Sequence, residues 1–211
     1  MKKRFVGCYN PSVILTYIGL SSSIISIYLA YHQIFSWSLF CLMFSGLCDM
    51  FDGTIARRIK RSDQAKKFGI QIDSLCDMVC FGVTPSFLGI ALYKGSKLEI
   101  IGVVAGICLT LAAVIRLAYF NVVEEERQQN TTEKRHSYQG LPVTNAALIA
   151  PLAYCIGSLI SKALLPVIYS AVLILTAFLF IWNFKVPKIY GKANYVMIGL
   201  ALILFIAVVI V

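Results

Sequence analysis

Residues 34–93 read IFSWSLFCLMFSGLCDMFDGTIARRIKRSDQAKKFGIQIDSLCDMVCFGVTPSFLGIALY, which is two apolar runs joined by a basic segment. Each run approaches or exceeds the roughly 20 residues that an α-helix needs to cross a bilayer. Six Lys and Arg residues stand between the runs, within residues 57–67. The stretch therefore predicts two membrane-spanning helices, near residues 34–50 and 70–93, that are connected on one side of the membrane.

The apolar pattern extends over the whole chain. Of its 211 residues, 59% are hydrophobic and 14% are charged, and the mean hydropathy is +0.80. These values exclude a soluble globular domain, a disordered chain and a disulfide-rich scaffold. We therefore expect an all-α integral membrane protein, a polytopic helical bundle of six or seven transmembrane helices in a single membrane domain over residues 1–211. Further spans are predicted near residues 12–30, 100–120, 143–160, 164–182 and 195–211.

The formal net charge of +9 is distributed unevenly between the two sides of the predicted bundle. With seven spans, one side carries 15 Lys and Arg residues, and the other carries Lys94, Lys97 and Lys162. Because basic residues favour the cytoplasmic side, we expect the N-terminus and the 57–67 segment in the cytoplasm and Val211 outside. Short basic clusters between apolar runs are typical of membrane proteins, whereas a nucleic-acid-binding protein needs a continuous basic surface.

Four of the ten acidic residues fall in or beside the second and third predicted spans. Asp49 and Asp52 are three positions apart and Asp73 and Asp77 are four apart, so on helices each pair projects from one face. An acidic side chain inside a membrane is costly and is by default a functional candidate. If the two faces meet, four carboxylates share one pocket.

Carboxylates gathered in this way repel one another strongly unless cations are present. Oxygen ligands select hard divalent ions, so the set predicts Mg²⁺ or Mn²⁺, which commonly accompany phosphate-bearing substrates. Glycine lets a substrate approach the backbone, and an arginine can fork on to a phosphate. Residues of these types accompany the acidic pairs, three of them after the first pair and one before the second, and indicate a metal-bridged pyrophosphate site at the cytoplasmic face: Gly53, Ala56, Arg57 and Gly69.

Two other interpretations of the acidic residues stay open from the residues alone. The acidic residues could form structural ion pairs, and the small residues would then serve helix packing. They could instead couple cations or protons to solute movement in a small membrane transporter, which predicts flux and no chemistry. The basic residues available for structural pairs are Arg57, Arg58, Arg61 and Arg116.

The run from Asp49 to Asp77 resembles the motif of the CDP-alcohol phosphatidyltransferases, integral membrane enzymes that make phospholipids from a CDP-linked lipid and an alcohol. The resemblance covers roughly residues 10–155, which would form the catalytic core, and leaves C-terminal spans at about 164–211. The segment between the arginine and the second glycine is longer than in many members of the family. The matching positions are Asp49, Asp52, Gly53, Ala56, Arg57, Gly69, Asp73 and Asp77.

Flanking residues are similar to the serine-using branch of that family, the phosphatidylserine synthases. The segments that carry this similarity are QIDSLCD at 71–77, FGVTP at 81–85, IRLAYFN at 115–121 and YQGLP at 138–142. Tyr119 and Thr144 depart from the arginine and proline that are usual in the branch. The resemblance implies that the hydroxyl of serine attacks CDP-diacylglycerol, releasing CMP and forming phosphatidylserine. Inositol phosphate, glycerol phosphate or choline are the alternative alcohols.

The resemblance also implies a role for each matching residue. Two Mg²⁺ or Mn²⁺ ions would be held by Asp49, Asp52, Asp73 and Asp77, and Asp77 would also act as the general base. The CDP-lipid would be bound by Asp49, Gly53, Ala56, Arg57 and Gly69. The serine carboxylate needs a cation, for which Arg116 is the candidate, with Asn121 nearby. A homodimer in a prokaryotic plasma membrane, with its active site on the cytoplasmic side, is expected on the same grounds.

Overall fold

The computed structural model describes residues 7–130, 137–187 and 193–210. Its helices are α1 (Pro11–Tyr31), α2 (Phe35–Arg58), α3 (Asp63–Asp77), α4 (Thr84–Ala91), α5 (Glu99–Asn130), α6 (Ala146–Ile160), α7 (Leu165–Ile181) and α8 (Ala193–Ile210). Within these residues, five helical segments are long and apolar enough to span a bilayer, with α3 and α4 counted as one segment. Shorter apolar helices cover Leu165–Ile181 and Gly199–Val208. The predicted class of all-helical membrane protein is confirmed.

A hairpin of α1 and α2 opens the bundle. Pro11 occupies the first turn of α1, where its missing N–H costs nothing, and the Asn10 side chain caps the helix by accepting from the backbone N–H of Val13 at 3.1 Å. Farther along, Ser26 and Ser38 each donate a hydroxyl to the other's backbone carbonyl, at 2.7 and 2.8 Å. Small polar residues of this kind allow close packing and hydrogen bonding between helices in a membrane.

Both helices that carry the acidic pairs extend beyond the spans predicted for them. The second span was expected to end near residue 50, but α2 continues to Arg58. The third was expected to begin near residue 70, but α3 begins at Asp63, where the Ser62 hydroxyl caps it by accepting from the N–H of Ala65 at 3.3 Å. Hydropathy marks where a helix leaves the apolar layer rather than where its hydrogen bonds end, so the predicted boundaries were too short.

A π-helical turn over Met78–Val83 joins α3 to α4 without a break in the segment. Pro85 lies just beyond this turn and has no N–H to donate, and its ring crowds the carbonyl four residues earlier. The wider turn accommodates this proline, while the hydroxyl of Thr84 donates to the carbonyl of Val79 at 2.9 Å. Such turns are frequent at functional sites, and this one directly follows Asp77.

The remaining helices pack around the hairpin. Helix α5 packs against α4 and α7, α6 against α2 and α7, and α8 against α2 and α6. Two short strands, β1 (Ser137–Gln139) and β2 (Lys185–Pro187), pair in antiparallel register next to the turn that enters α6. Neither strand was predicted, because three-residue strands leave no hydropathy signal.

Contacts between loops distinguish the two ends of the bundle. The Gln33 amide donates to the carbonyl of Ala91 at 2.9 Å, and the Lys94 ammonium donates to the carbonyl of Tyr31 at 3.1 Å. The α1–α2 and α4–α5 turns therefore share one end. The basic segment of residues 57–67 covers the end of α2, the connection and the start of α3, and it lies toward the other end of the bundle.

Candidate functional site

The aspartates of α2 and α3 converge in one cluster. One carboxylate oxygen from each of Asp49, Asp52 and Asp73 lies within 4.8 Å of the other two. Asp52 is 5% exposed, and the other two are partly buried. The helical spacing places Asp49 and Asp52 on one face of α2. The position of α3 then brings the Asp73 carboxylate close to both of them.

Asp77 lies one helical turn beyond Asp73. It lines a small cavity together with Asp49 and Asp52. The structure thus places Asp77 beside the other three acidic residues. Its predicted roles as a metal ligand and as the general base stay predictions.

Two threonine hydroxyls contact the carboxylates from outside α2 and α3. Thr16 of α1 donates to Oδ2 of Asp52 at 2.6 Å, and Thr144 donates to Oδ2 of Asp49 at 2.9 Å. Thr144 belongs to a 3₁₀ turn, Val143–Asn145, that leads into α6. Within the described residues, the side-chain donors to Asp49 and Asp52 are therefore neutral hydroxyls.

The chemistry of this set suits a hard divalent cation. Two unit charges 4 Å apart repel by about 4 kcal/mol at an effective dielectric constant of about 20, so three ionised carboxylates this close need a counter-charge. The converging ligands are all oxygen atoms, which Mg²⁺ and Mn²⁺ prefer. Hydroxyl donors leave carboxylate lone pairs available, whereas an arginine would neutralise the group itself. The residues present therefore fit a divalent metal.

The small residues of the motif lie on the same helix faces as the acidic ones. On α2, Gly53 follows Asp49 by four positions and Ala56 follows Asp52 by four. On α3, Gly69 precedes Asp73 by four positions. A Cβ atom added to Gly69 would lie 3.2 Å from Nη1 of Arg61, which places that guanidinium one turn from the acidic residues of α3.

Arg57 continues the same helix, but its side chain lies outside the described part of the structure. Its predicted contact with phosphate therefore stays a prediction. The same holds for the predicted roles of Gly53, Ala56 and Gly69 in binding a CDP-lipid.

The two residues predicted to bind serine both have protein partners. Arg116 donates from Nη1 to the carbonyl of Phe180 and from Nη2 to the carbonyl of Gly140, both at 3.1 Å. Asn121 exchanges hydrogen bonds with Ser74, the residue after Asp73. Neither contact tests a role in binding serine, so that role stays a prediction.

Sequence reasoning missed the contributions of Thr16 and Thr144. A threonine within an apolar span gives no signal of its own, because it is tolerated anywhere in a membrane helix. Thr144 offered a weak signal, since it stands where the serine-using branch usually has proline. Its partner Asp49 is 95 positions away in the chain, and no local spacing rule connects residues so far apart.

The chain matches the family model of CDP-alcohol phosphatidyltransferases over residues 9–182. The match includes α7, so the resemblance extends farther than the predicted limit near residue 155. Among curated proteins, the chain is similar to a CDP-diacylglycerol–serine O-phosphatidyltransferase of Helicobacter pylori, with 31% identity over 147 residues, 68% of this chain and 58% of that protein.

Two further relatives have similar identity. The Bacillus subtilis protein of the same name is 32% identical over 123 residues, which cover 57% of this chain and 60% of the relative. An archaetidylserine synthase of Methanothermobacter thermautotrophicus is 29% identical over 164 residues, 76% of this chain and 65% of the relative. The chain thus spans somewhat less than two thirds of the length of each of these relatives. The family match covers most of the chain and includes every aspartate of the site, and the chain therefore belongs to the CDP-alcohol phosphatidyltransferase family.

Proposed function

We propose that this protein transfers the phosphatidyl group of CDP-diacylglycerol to L-serine, releasing CMP and forming phosphatidylserine. The observation that carries the proposal is the convergence of Asp49, Asp52 and Asp73, whose carboxylate oxygens lie within 4.8 Å of one another. The names of the relatives support serine as the acceptor. The reaction class follows from the family, and the acceptor is the finer part of the proposal.

The acidic residues would hold Mg²⁺ or Mn²⁺, as two ions, with Asp77 completing the set. When bound, the ions supply positive charge that offsets the pyrophosphate of the substrate and the developing charge on the leaving CMP. The part played by the chain is to fix the carboxylates. Asp49 and Asp52 are fixed by α2 and Asp73 by α3, so the ligand set is positioned by rigid helices rather than by loops.

Asp77 would act as the general base. The serine oxygen forms a bond to the phosphorus that carries diacylglycerol, the bond from that phosphorus to the oxygen of CMP breaks, and the serine proton passes to the Asp77 carboxylate. Geometry favours this residue, because it lies beside the other carboxylates yet is not among the three whose oxygens converge. A base must lie within hydrogen-bond reach of the proton that it removes.

Helix α2 would bind the nucleotide. Gly53 and Ala56 present little side chain next to the acidic residues, so the cytidine diphosphate can lie against the backbone. Arg57 would fork on to its phosphates, and Gly69 would admit the substrate on the α3 side. Asp49 contributes to this surface as well as to the cation site.

Serine binding would involve Arg116 and Asn121. Asn121 is paired with Ser74, next to Asp73, so a serine molecule near that amide would also lie near the cation site. Arg116 supplies positive charge on α5, within the span, and it also holds the turn at Gly140. Selectivity for serine over inositol phosphate, glycerol phosphate or choline would arise at these positions.

The cellular setting of the proposal follows from the charge distribution. The basic segment at 57–67 adjoins the site end of α2, and basic segments favour the cytoplasm. We place the active site at the cytoplasmic face of a prokaryotic plasma membrane, where it receives CDP-diacylglycerol from the bilayer. A homodimer is part of the proposal on grounds of family resemblance.

The proposal is tested with purified protein in vesicles that contain CDP-diacylglycerol. Each of the four alcohols is added in turn, and CMP release is measured. We expect CMP release with serine and little with the other three. Release with another alcohol alone would overturn the choice of acceptor, and movement of solute across the vesicles without CMP release would favour the transporter interpretation.

A further inference from the structure

The carboxylates of Asp49 and Asp52 each have one oxygen engaged by a threonine. Thr16 Oγ1 lies 2.6 Å from Oδ2 of Asp52, and Thr144 Oγ1 lies 2.9 Å from Oδ2 of Asp49. The first distance is in the range of a charge-assisted O–H···O⁻ hydrogen bond. Thr16 also approaches the carbonyl of Ser12 at 3.1 Å, which is the longer of its two contacts.

We propose that Thr16 and Thr144 are positioning residues that set the affinity of the site for its divalent cation. The inference rests on the proposed function, because it takes the acidic residues to be the cation site. It adds that two elements outside α2 and α3, namely α1 and the 3₁₀ turn before α6, determine how the carboxylates are oriented. Neither threonine belongs to the motif of acidic and small residues.

The physical reason lies in the rotation of a carboxylate about its last torsion, for which the energy well is broad. A hydroxyl that donates to one oxygen restricts this rotation and so fixes the directions of the remaining lone pairs of the carboxylate. A neutral donor does so without introducing a positive charge that would compete with a cation. Partners that orient metal ligands in this way typically change metal affinity 10- to 100-fold when removed.

The placement of Thr144 is itself secured by the structure around it. The turn before it is held by the Arg116 guanidinium, which donates to the carbonyl of Gly140 at 3.1 Å, and by the N–H of Leu141, which donates to the carbonyl of Leu179 at 3.3 Å. Thr144 therefore lies on a braced turn, and its hydroxyl reaches Asp49 from a fixed position. The 138–142 segment is thereby connected to the acidic residues through one hydrogen bond.

The position of Thr16 is also fixed by the packing around it, in this case by the packing of α1 against α2. Thr16 is 9% exposed and lies one turn and a half into α1, a helix that packs along the whole hairpin with α2. Asp52 is 5% exposed, and removing the Thr16 hydroxyl would leave Oδ2 of Asp52 without that donor. The loss of a partner at a buried charged group is costly.

The experiment compares Thr16→Val and Thr144→Val with the serine variants Thr16→Ser and Thr144→Ser. Valine keeps the shape and removes the hydroxyl, whereas serine keeps the hydroxyl. The full chain is purified, and binding of Mn²⁺ is measured by the loss of the free-ion electron paramagnetic resonance signal. Thr176→Val is the matched control, because Thr176 is buried and its hydroxyl donates within α7, to the carbonyl of Val172 at 2.8 Å.

We expect the dissociation constant for Mn²⁺ to rise about 10- to 100-fold in both valine variants, and to stay close to the wild-type value in the serine variants and in Thr176→Val. In the CMP-release assay, the valine variants should need correspondingly more Mn²⁺, and a saturating concentration should restore most of their rate. A simple structural defect would lower the rate at every Mn²⁺ concentration.

Equal Mn²⁺ affinity in the wild type and both valine variants would overturn the positioning role and leave the proposed function standing. Absence of Mn²⁺ binding by the wild type would overturn both. A third outcome separates the two proposals. If the wild type binds Mn²⁺ and the valine variants bind it more weakly, but no CMP is released with serine, the positioning role stands and the choice of acceptor is wrong.

Discussion

Ser74 and Asn121 exchange two hydrogen bonds between α3 and α5. The Ser74 hydroxyl donates to Oδ1 of Asn121 at 3.0 Å, and Nδ2 of Asn121 lies 2.9 Å from the Ser74 oxygen. A hydroxyl donates one proton and accepts on its lone pairs, and an amide both donates and accepts, so the two hydrogen bonds form together. Ser74 adjoins Asp73, and the pair therefore connects α5 to the acidic residues of α3.

Replacing Asn121 by alanine distinguishes a substrate contact from a tie between helices. If Asn121 contacts serine, Asn121→Ala raises the KM for serine by about tenfold, the cost of one hydrogen bond to a charged ligand, and leaves the KM for CDP-diacylglycerol nearly unchanged. Ser74→Ala breaks the same pair but keeps the amide, so its effect on serine should be smaller. Identical kinetics for the two variants would instead assign Asn121 to the helix tie alone.

Replacing Asp77 or Asp52 by asparagine should change turnover and CDP binding in different ways. Asp77→Asn removes the base and should lower turnover by about 100- to 10,000-fold while CDP binding, followed by calorimetry, largely remains. Asp52→Asn removes a charged ligand and should lose both. Asp63→Asn is the matched control, because Asp63 is exposed and pairs with Lys66 at 2.9 Å on the surface. Equal and mild effects at Asp77 and Asp52 would support structural roles for both.

Much of this architecture could be predicted from the order of residues. The spans follow from hydropathy, and the placement of each acidic pair on one helix face follows from helical periodicity, which depends on neighbours three and four positions apart. Helix ends were predicted less well. Asp49 and Asp52 lower the hydropathy of α2 near residue 50, so the predicted span ends there. Their side chains contact other parts of the bundle, and the helix itself continues for two further turns.

Features that depend on distant parts of the chain could not be predicted. Thr144 meets Asp49 only after α6 has packed against α2, and the β1–β2 pairing joins segments on either side of α6 and α7. The π turn after Asp77 reflects the fit of Pro85 within a continuous helix. Each arises from tertiary packing, which no window of neighbouring residues encodes.

Gly46 sets how closely α2 and α6 approach. A Cβ atom added to Gly46 would lie 2.7 Å from the Cβ of Ala147, closer than two carbons tolerate. Gly46→Ala should therefore destabilise the protein by about 1–3 kcal/mol, as overpacking does, and lower the Tm measured in detergent. Gly199→Ala serves as the control, since no neighbouring segment of the described residues lies within 4 Å of its added Cβ atom. An unchanged Tm for Gly46→Ala would mean that α2 and α6 are not in contact there.

Gly140 combines a left-handed backbone with a crowded position. Its φ is +67°, and an added Cβ atom would lie 2.5 Å from Nη1 of Arg116. Gly140→Ala should displace that guanidinium and raise the KM for serine more than the KM for CDP-diacylglycerol. Gly95→Ala isolates backbone strain, of about 1–2 kcal/mol, because Gly95 has φ of +81° and no atom within 4 Å of its added Cβ. The same kinetic change in both variants would show that strain alone is responsible.

The central claim is that the aspartates of α2 and α3 hold divalent cations for phosphatidyl transfer to serine. Its most direct test is the incorporation of radiolabelled serine into lipid by the purified protein, measured in EDTA and again after Mg²⁺ or Mn²⁺ is restored. We expect incorporation to cease in EDTA and to return with either ion. Incorporation that continues at its full rate in EDTA would contradict the claim.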